Sequence, residues 1–273
     1  DKDLPGFDFT AFFARGGYLE TLRQKDSVPM NVVPGLGDHN VGMNLVAGIL
    51  AALYQAKTKG KGEKVTTSLF QTAVFNMGMM IQAAQYKDIG TPYPINVREG
   101  NNPLLAAWKT KEGRYIQTCT PDYNTYYKKF MSAIGRDDLV DSERYFPIQN
   151  VQKAGVGYEV YDIVMEAIGK MTVEECSERL TKADIPFALA QSLEEILEDK
   201  QAWANECFYS MKYDNGNTRT LVRPPVNFAE MGEPEYVRGP MIGEQGRSIL
   251  KEIGYTDDQI NKLIDDKALY IGE

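Results

Sequence analysis

Apolar residues from Val41 to Tyr54, in "VGMNLVAGILAALY", recur at helical spacing, and what stands on either side of them limits the folds open to the chain. The glycine-containing "PGLGDHN" precedes the run. The segment from Lys59 to Lys64 follows it, where Gly60 and Gly62 can take positive φ and the lysines suit the negative end of a helix dipole. "KVTTSLF" then has the β-branched content of a short strand, and "TAVFNMGMMIQAAQY" reads as a second buried helix. Helix, strand and helix together predict an α/β unit.

From Gly90 to Asn102 the periodicity is lost among prolines, glycines and asparagines, which predicts a linker or domain crossing. Beyond it "EGRYIQTCT" reads as a turn and strand. Asp122 is the expected N-cap of the helix "YNTYYKKFMSAIG", with Gly135 at its far end. Capping boxes mark two further helices, Thr172 with Glu175 and Ser192 with Glu195, and Pro186 breaks the chain between them. "SMKYDNGNTRTLVRPPVNF" predicts a β-hairpin turning at Asn215 and Gly216 in a type I′ turn. Thr256 is the expected cap of a C-terminal helix, "DDQINKLIDD".

With 43% apolar and 25% charged residues, the chain has the composition of a soluble globular protein. A net charge of -8 argues against a nucleic-acid partner, and no run reaches the roughly 18 apolar residues of a membrane span. The opening "DKD", followed by Pro5 and Gly6, does not resemble a secretory leader. Three cysteines, Cys119, Cys176 and Cys207, are far apart and odd in number, which suggests neither a disulfide framework nor a thiolate metal site and fits a reducing cytoplasm. The chain starts with Asp1 and enters apolar, glycine-containing sequence at once, so it is expected to be part of a longer polypeptide.

The candidate chemistry is sparse. A single histidine, His39, leaves no basis for a Ser-His-Asp or multi-histidine metal site within this chain. It is either a loop residue satisfied by the backbone or a substrate contact, and neighbouring Asp38 is either a ligand or the N-cap of a helix starting near Asn40. "GLGDHNVG" matches neither dinucleotide nor Walker phosphate loops. Met77, Met79 and Met80 are core filler or the lining of an apolar acyl pocket, and Lys59, Lys61 and Lys64 are a solvated run or phosphate contacts. The sharpest candidate is Asp8 in "LPGFDFTAFFARGG". A carboxylate among glycine and aromatic residues either turns to water or sits in a dry pocket for chemistry.

"PGFD", Gly16 eight residues later, and then "GDHNVGMNLVAGILAALYQAKTKGKGEKVTTSLFQTAV" resemble the family III CoA-transferases, whose pattern runs approximately P-G-[FY]-D, G-D-x-x-T-G-x-x-A-A-x-G-I-x-A-A-L and T-G-x-G-Q-x-V-D-x-S-L. The resemblance continues through "REGNNP", "EGRYIQTCTPDYNTYYKKFMSAIGRDDL", "KADIPFALAQSLEEILEDKQ" and "GEQGRSILKEIGYTDDQI", and so covers essentially the whole chain. It implies the C-terminal part of that α/β fold: a large-domain segment with the catalytic aspartate over 1–95, a small α+β domain over 96–200, and a return segment over 201–273. It further implies that Asp8 is the nucleophile, forming acyl-aspartyl anhydride and aspartyl-CoA intermediates. Phe7, Phe12, Gly37, Asp38 and His39 are then expected in the substrate site. No permanent cofactor or metal is implied, coenzyme A entering as the thioester substrate. The implied partners are acyl-CoA and carboxylic acids, a second copy in an interlocked homodimer, and the family's N-terminal portion, which this sequence lacks.

The sequence departs from the pattern in places. Phe12 stands where many members have Gln, Val41 where Thr is usual and Thr66 where Asp is usual, and no glycine-rich covering loop follows Asn101. "DFTAFFARGG" and "MGMMIQAAQY" look most like transferases of 2-hydroxy and 2-enoyl acids in amino-acid-fermenting anaerobes. Phe12, Phe13 and the methionines suit a branched or aryl side chain better than formate or oxalate. Two alternatives share the fold. An α-methylacyl-CoA racemase would show G-H-D-x-N-Y at this motif, where Phe7 and Ala11 stand instead of the histidine and tyrosine; an inactive subunit would have no reason to keep Asp8.

Overall fold

A computed structural model of the chain describes residues 3–86, 93–232 and 234–272, and the chain divides into two compact units, Asp1–Ala190 and Gln191–Glu273. The architecture is mixed α/β, with helices and two small antiparallel sheets, one in each unit.

The first unit opens with a π-helical segment, Asp8–Ala14, followed by α1 (Tyr18–Leu22), α2 (Leu36–Lys59), α3 (Leu69–Asn76) and α4 (Gly78–Ala83). Phe12, Phe13 and Ala73 form a small core here, with Tyr18, Leu19, Val32 and Leu69 packed on it. The long helix runs as its spacing predicts and ends at Gly60, whose φ of 68° provides the left-handed cap. Its start lies four residues before Asn40, however, and Gly35 rather than Asp38 is the N-cap. Much of its apolar surface is uncovered: Leu50 is 61% exposed, and Met43, Val46 and Leu53 are exposed as well.

Two further expectations for this region fail. No strand forms at "KVTTSLF"; residues 61–68 belong to neither helix nor strand, and Ser68, itself extended, caps α3 by accepting the Gln71 N–H. β-branched residues favour the extended form, but a strand also needs a neighbour to pair with, and none of the described residues supplies one. The second helix is interrupted at Met77, giving α3 and α4, and it is not buried as a whole. Met77 lies inside, Met80 is half-buried, and Met79 and Phe75 are exposed.

The main core of the first unit is built on β1 (Ala107–Lys109), β2 (Tyr115–Thr118), α5 (Tyr123–Ala133), α6 (Ile148–Ala154), α7 (Gly157–Ile168), α8 (Val173–Lys182) and β3 (Phe187–Leu189). The strands pair antiparallel in chain order, with Trp108 opposite Ile116 and Ile116 opposite Leu189. Trp108, Ile116, Tyr127, Phe130, Val164, Ile168 and Leu180 are fully enclosed together. The predicted caps are present: Asp122 accepts the Asn124 and Thr125 N–H groups, Thr172 and Glu175 form a capping box, and Gly135 turns the chain at φ 76° after α5. The stretch read as a linker falls partly outside the described residues, and within it Val97–Glu99 makes a 3-10 turn.

The second unit comprises α9 (Leu193–Glu198), α10 (Lys200–Ala204), β4 (Phe208–Lys212), β5 (Thr218–Val222), α11 (Gly246–Glu252) and α12 (Asp257–Asp265). Ser192 with Glu195 and Thr256 with Gln259 are complete capping boxes. The hairpin forms, pairing Phe208 with Val222 through Lys212 with Thr218, but its turn is not type I′. Gly216 alone takes a positive φ, 81°, while the Asn215 side chain accepts the Asn217 N–H. The Tyr213 N–H donates to the Asn217 carbonyl, closing a longer loop in which one left-handed residue suffices.

Candidate active site

The π-helical segment begins at Asp8 because the Thr10 side chain accepts the Phe7 N–H at 3.1 Å and the Thr10 and Ala11 N–H groups both reach the Phe7 carbonyl. Arg15 N–H donates five residues back to Thr10, the wider spacing that often marks functional segments. The consequence is that Asp8, Phe12 and Phe13 all turn inward. Phe12 stacks on Tyr18 with ring centroids 4.8 Å apart and meets Phe13 edge-on at 5.3 Å, so the wall beside Asp8 is aromatic.

Asp8 is only 8% exposed, and its carboxylate is met by the start of α2. The Gly35 N–H donates to Oδ2 at 2.7 Å and the Gly37 N–H donates to Oδ1 at 3.0 Å. These are charge-assisted bonds at the positive end of a 24-residue helix dipole, each of the order of 1.5–3 kcal/mol. Asp8 thus acts as a cap supplied from 27 residues upstream. Both glycines are required by geometry. Gly35 has φ 82°, and a β-carbon on Gly37 would stand 2.2 Å from Asp8 Oδ1 and 2.5 Å from Phe12 Cγ.

Of the residues expected in the site, the fold gathers Asp8, Phe12 and Gly37 at one point. Phe7 is 69% exposed on the outer side of the segment, and the side chains of Asp38 and His39 are exposed in the first turn of α2, with the His39 N–H bonded to the Gly35 carbonyl at 2.9 Å. Gly35 escapes the sequence reading, although the doublet Gly35 and Gly37 around Leu36, at the start of a long helix, is the signal that points to it. Among the described residues no group of three His, Cys, Asp or Glu side chains is placed to hold a metal ion, and no helix is long and apolar enough to cross a membrane. A dry carboxylate against backbone amides and aromatic rings is suited to attack an electrophilic carbonyl and to shield the product from water.

Comparison with known proteins finds CoA-transferases among the relatives of the chain. It is 53% identical over 271 residues to cinnamoyl-CoA:phenyllactate CoA-transferase of Clostridium sporogenes, an alignment covering 99% of this chain and 66% of that protein. It is 41% identical to (R)-2-hydroxy-4-methylpentanoate CoA-transferase of Clostridioides difficile, with 98% and 66% of the two chains covered. The chain therefore spans about two thirds of the length of these curated relatives. Among solved structures, a CAIB/BAIF family protein from Brucella suis superposes with a TM-score of 0.70 at 19% identity, covering 91% of this chain and 63% of that one. A model of CoA-transferase family III matches residues 1–246, and the chain belongs to that family.

Proposed function

We propose that this chain carries the nucleophile of a CoA-transferase moving CoA between carboxylic acids, with a 2-hydroxy or 2-enoyl acid of branched or aryl type as donor or acceptor. The observation that carries the reading is the Asp8 carboxylate, withdrawn from water yet held by two backbone N–H groups beside an aromatic wall. In this reading an Asp8 oxygen attacks the acyl-CoA carbonyl, and the C–S bond breaks to release CoA thiolate and leave an acyl-aspartyl anhydride. The thiolate then attacks the Asp8 carbonyl carbon, expelling the first acid and forming aspartyl-CoA. The second acid repeats the two steps in reverse and departs as its CoA thioester, leaving Asp8 free. No proton is required at any step, which suits a site with no acid or base other than the nucleophile among its gathered residues.

The names of the two clostridial relatives support an aryl or branched side chain, and so does the stack of Phe12, Phe13 and Tyr18. Phe7, Asp38 and His39 belong to the outer part of the site in this proposal, within reach of a bulky substrate rather than of the Asp8 carboxylate. A cytoplasmic enzyme acting as an interlocked homodimer with a further N-terminal portion completes the reading, and the exposed apolar residues of α2 accord with additional polypeptide packing there. The test is intact and peptide mass spectrometry after incubation with cinnamoyl-CoA and hydroxylamine. A hydroxamate at Asp8, together with CoA transfer to phenyllactate, is expected. Exchange of the substrate's α-hydrogen with solvent in the absence of transfer would instead identify a racemase.

A further inference from the structure

We propose that the two oxygens of the Asp8 carboxylate have separate and fixed fates: Oδ2 forms and breaks bonds in every turnover, while Oδ1, held by the Gly37 N–H, stays on the aspartate throughout. This rests on Asp8 being the nucleophile. The asymmetry comes from what surrounds each oxygen. On the Oδ1 side Gly37 is buried, and the space beside its α-carbon is filled by Oδ1 itself and by the Cβ and Cγ of Phe12. An acyl group has no room to approach from there. On the Oδ2 side the donor, Gly35, is partly exposed and no group is packed against its α-carbon as Phe12 is against that of Gly37.

The chemistry then follows atom by atom. Oδ2 bonds to the incoming acyl carbon as the C–S bond breaks. When the thiolate attacks Asp8 Cγ, the Cγ–Oδ2 bond breaks and the first acid leaves carrying that oxygen. Oδ1 becomes the thioester carbonyl oxygen, and at each attack on Cγ the developing negative charge falls on it, 3.0 Å from the Gly37 nitrogen. That amide is thus the oxyanion donor for both steps at the aspartate, a role worth about a hundredfold or more in rate. The second acid supplies the replacement oxygen, which takes the vacated position facing Gly35.

The experiment uses the protein isolated from its natural source, unlabelled cinnamoyl-CoA and a large excess of cinnamate labelled with heavy oxygen at both carboxylate positions. After many turnovers, the peptide containing Asp8 is weighed. One heavy oxygen per chain, never rising to two, is expected. Two would show that the carboxylate rotates between turnovers and would overturn the proposal while leaving Asp8 as the nucleophile. No heavy oxygen despite continuing exchange of CoA would remove Asp8 from the chemistry and the proposal with it. Gly37→Ala adds an independent reading. With Oδ1 displaced by the new β-carbon, transfer should fall about a hundredfold, and the turnover that remains should place heavy oxygen at both positions. A variant that keeps the parent's rate and its single label would show that the Gly37 cradle does not set the fate of the oxygens.

Discussion

Gly35 presents its N–H to Asp8 Oδ2 at 2.7 Å from a backbone with φ 82°, a conformation in which an ordinary side chain is strained. Open space surrounds the position where a β-carbon would stand, so substitution acts through the backbone alone. Gly35→Ala should cost about 1–2 kcal/mol of strain or tilt the amide away from Asp8, whereas Gly35→Asn, which enters the left-handed region more readily, should do less harm. The expected ranking of kcat/KM for CoA transfer is parent, then Asn, then Ala. An alanine variant as active as the parent would show that the Gly35 amide does not position the Asp8 carboxylate, the nucleophile we propose.

The main core contains a short polar chain whose interruption should be costly. Buried Thr118 accepts the Trp108 indole N–H at 2.8 Å and donates to the Leu104 carbonyl at the same distance. Thr118→Val keeps the shape but leaves the indole donor without its acceptor, a loss of about 1–3 kcal/mol. The Leu104 carbonyl keeps a second donor, the Thr120 hydroxyl, so the penalty should stay within that range. Urea unfolding followed by tryptophan emission should show a lower midpoint with an unchanged slope.

How much of this was readable in advance follows the range of the interactions. The caps at Asp122, Thr172, Ser192 and Thr256 were legible because each joins a side chain to backbone two or three residues away. The start of α2 lies earlier than the local pattern predicts because its carboxylate cap is Asp8, far upstream, while the local Asp38 offers a plausible substitute. The aspartate motif could be picked out from its glycine and aromatic neighbours, but its partners could not, since backbone amides have no residue signature. The absent strand at "KVTTSLF" has the same origin: composition reports a preference for extension, while pairing depends on a neighbour elsewhere.

The cysteines should separate cleanly by reactivity. Cys119 and Cys207 are exposed, whereas Cys176 is buried on α8 and burial pushes its thiol up to about 11. At about pH 8, a disulfide-exchange reagent should modify Cys119 and Cys207 in the native protein and reach Cys176 only on unfolding. The sign of the linkage is fixed by the raised value. Cys176 in the unfolded chain ionises near 9.0, so this residue should lower stability progressively as pH climbs from there towards about 11. Cys176→Ala should remove that component, and rapid native labelling of Cys176 at pH 8 would contradict its enclosure.

The acid limb should depend on Glu159. Its carboxylate accepts Arg144 Nε at 3.0 Å and Nη2 at 2.6 Å, and the Tyr145 hydroxyl at 2.7 Å. These bonds, the Arg144 guanidinium first, lower its pKa from 4.5 to about 2. A carboxylate depressed in the folded state stabilises fully above its unfolded value, and the contribution disappears as pH falls through the folded one. Stability attributable to Glu159 should therefore be present at neutral pH and drain away between 4.5 and about 2. Glu159→Gln retains the size and part of the hydrogen bonding but cannot titrate. The difference in thermal midpoint between parent and variant should be largest near neutrality and narrow steadily across that window. A constant difference at every pH would mean that the carboxylate contributes through packing alone.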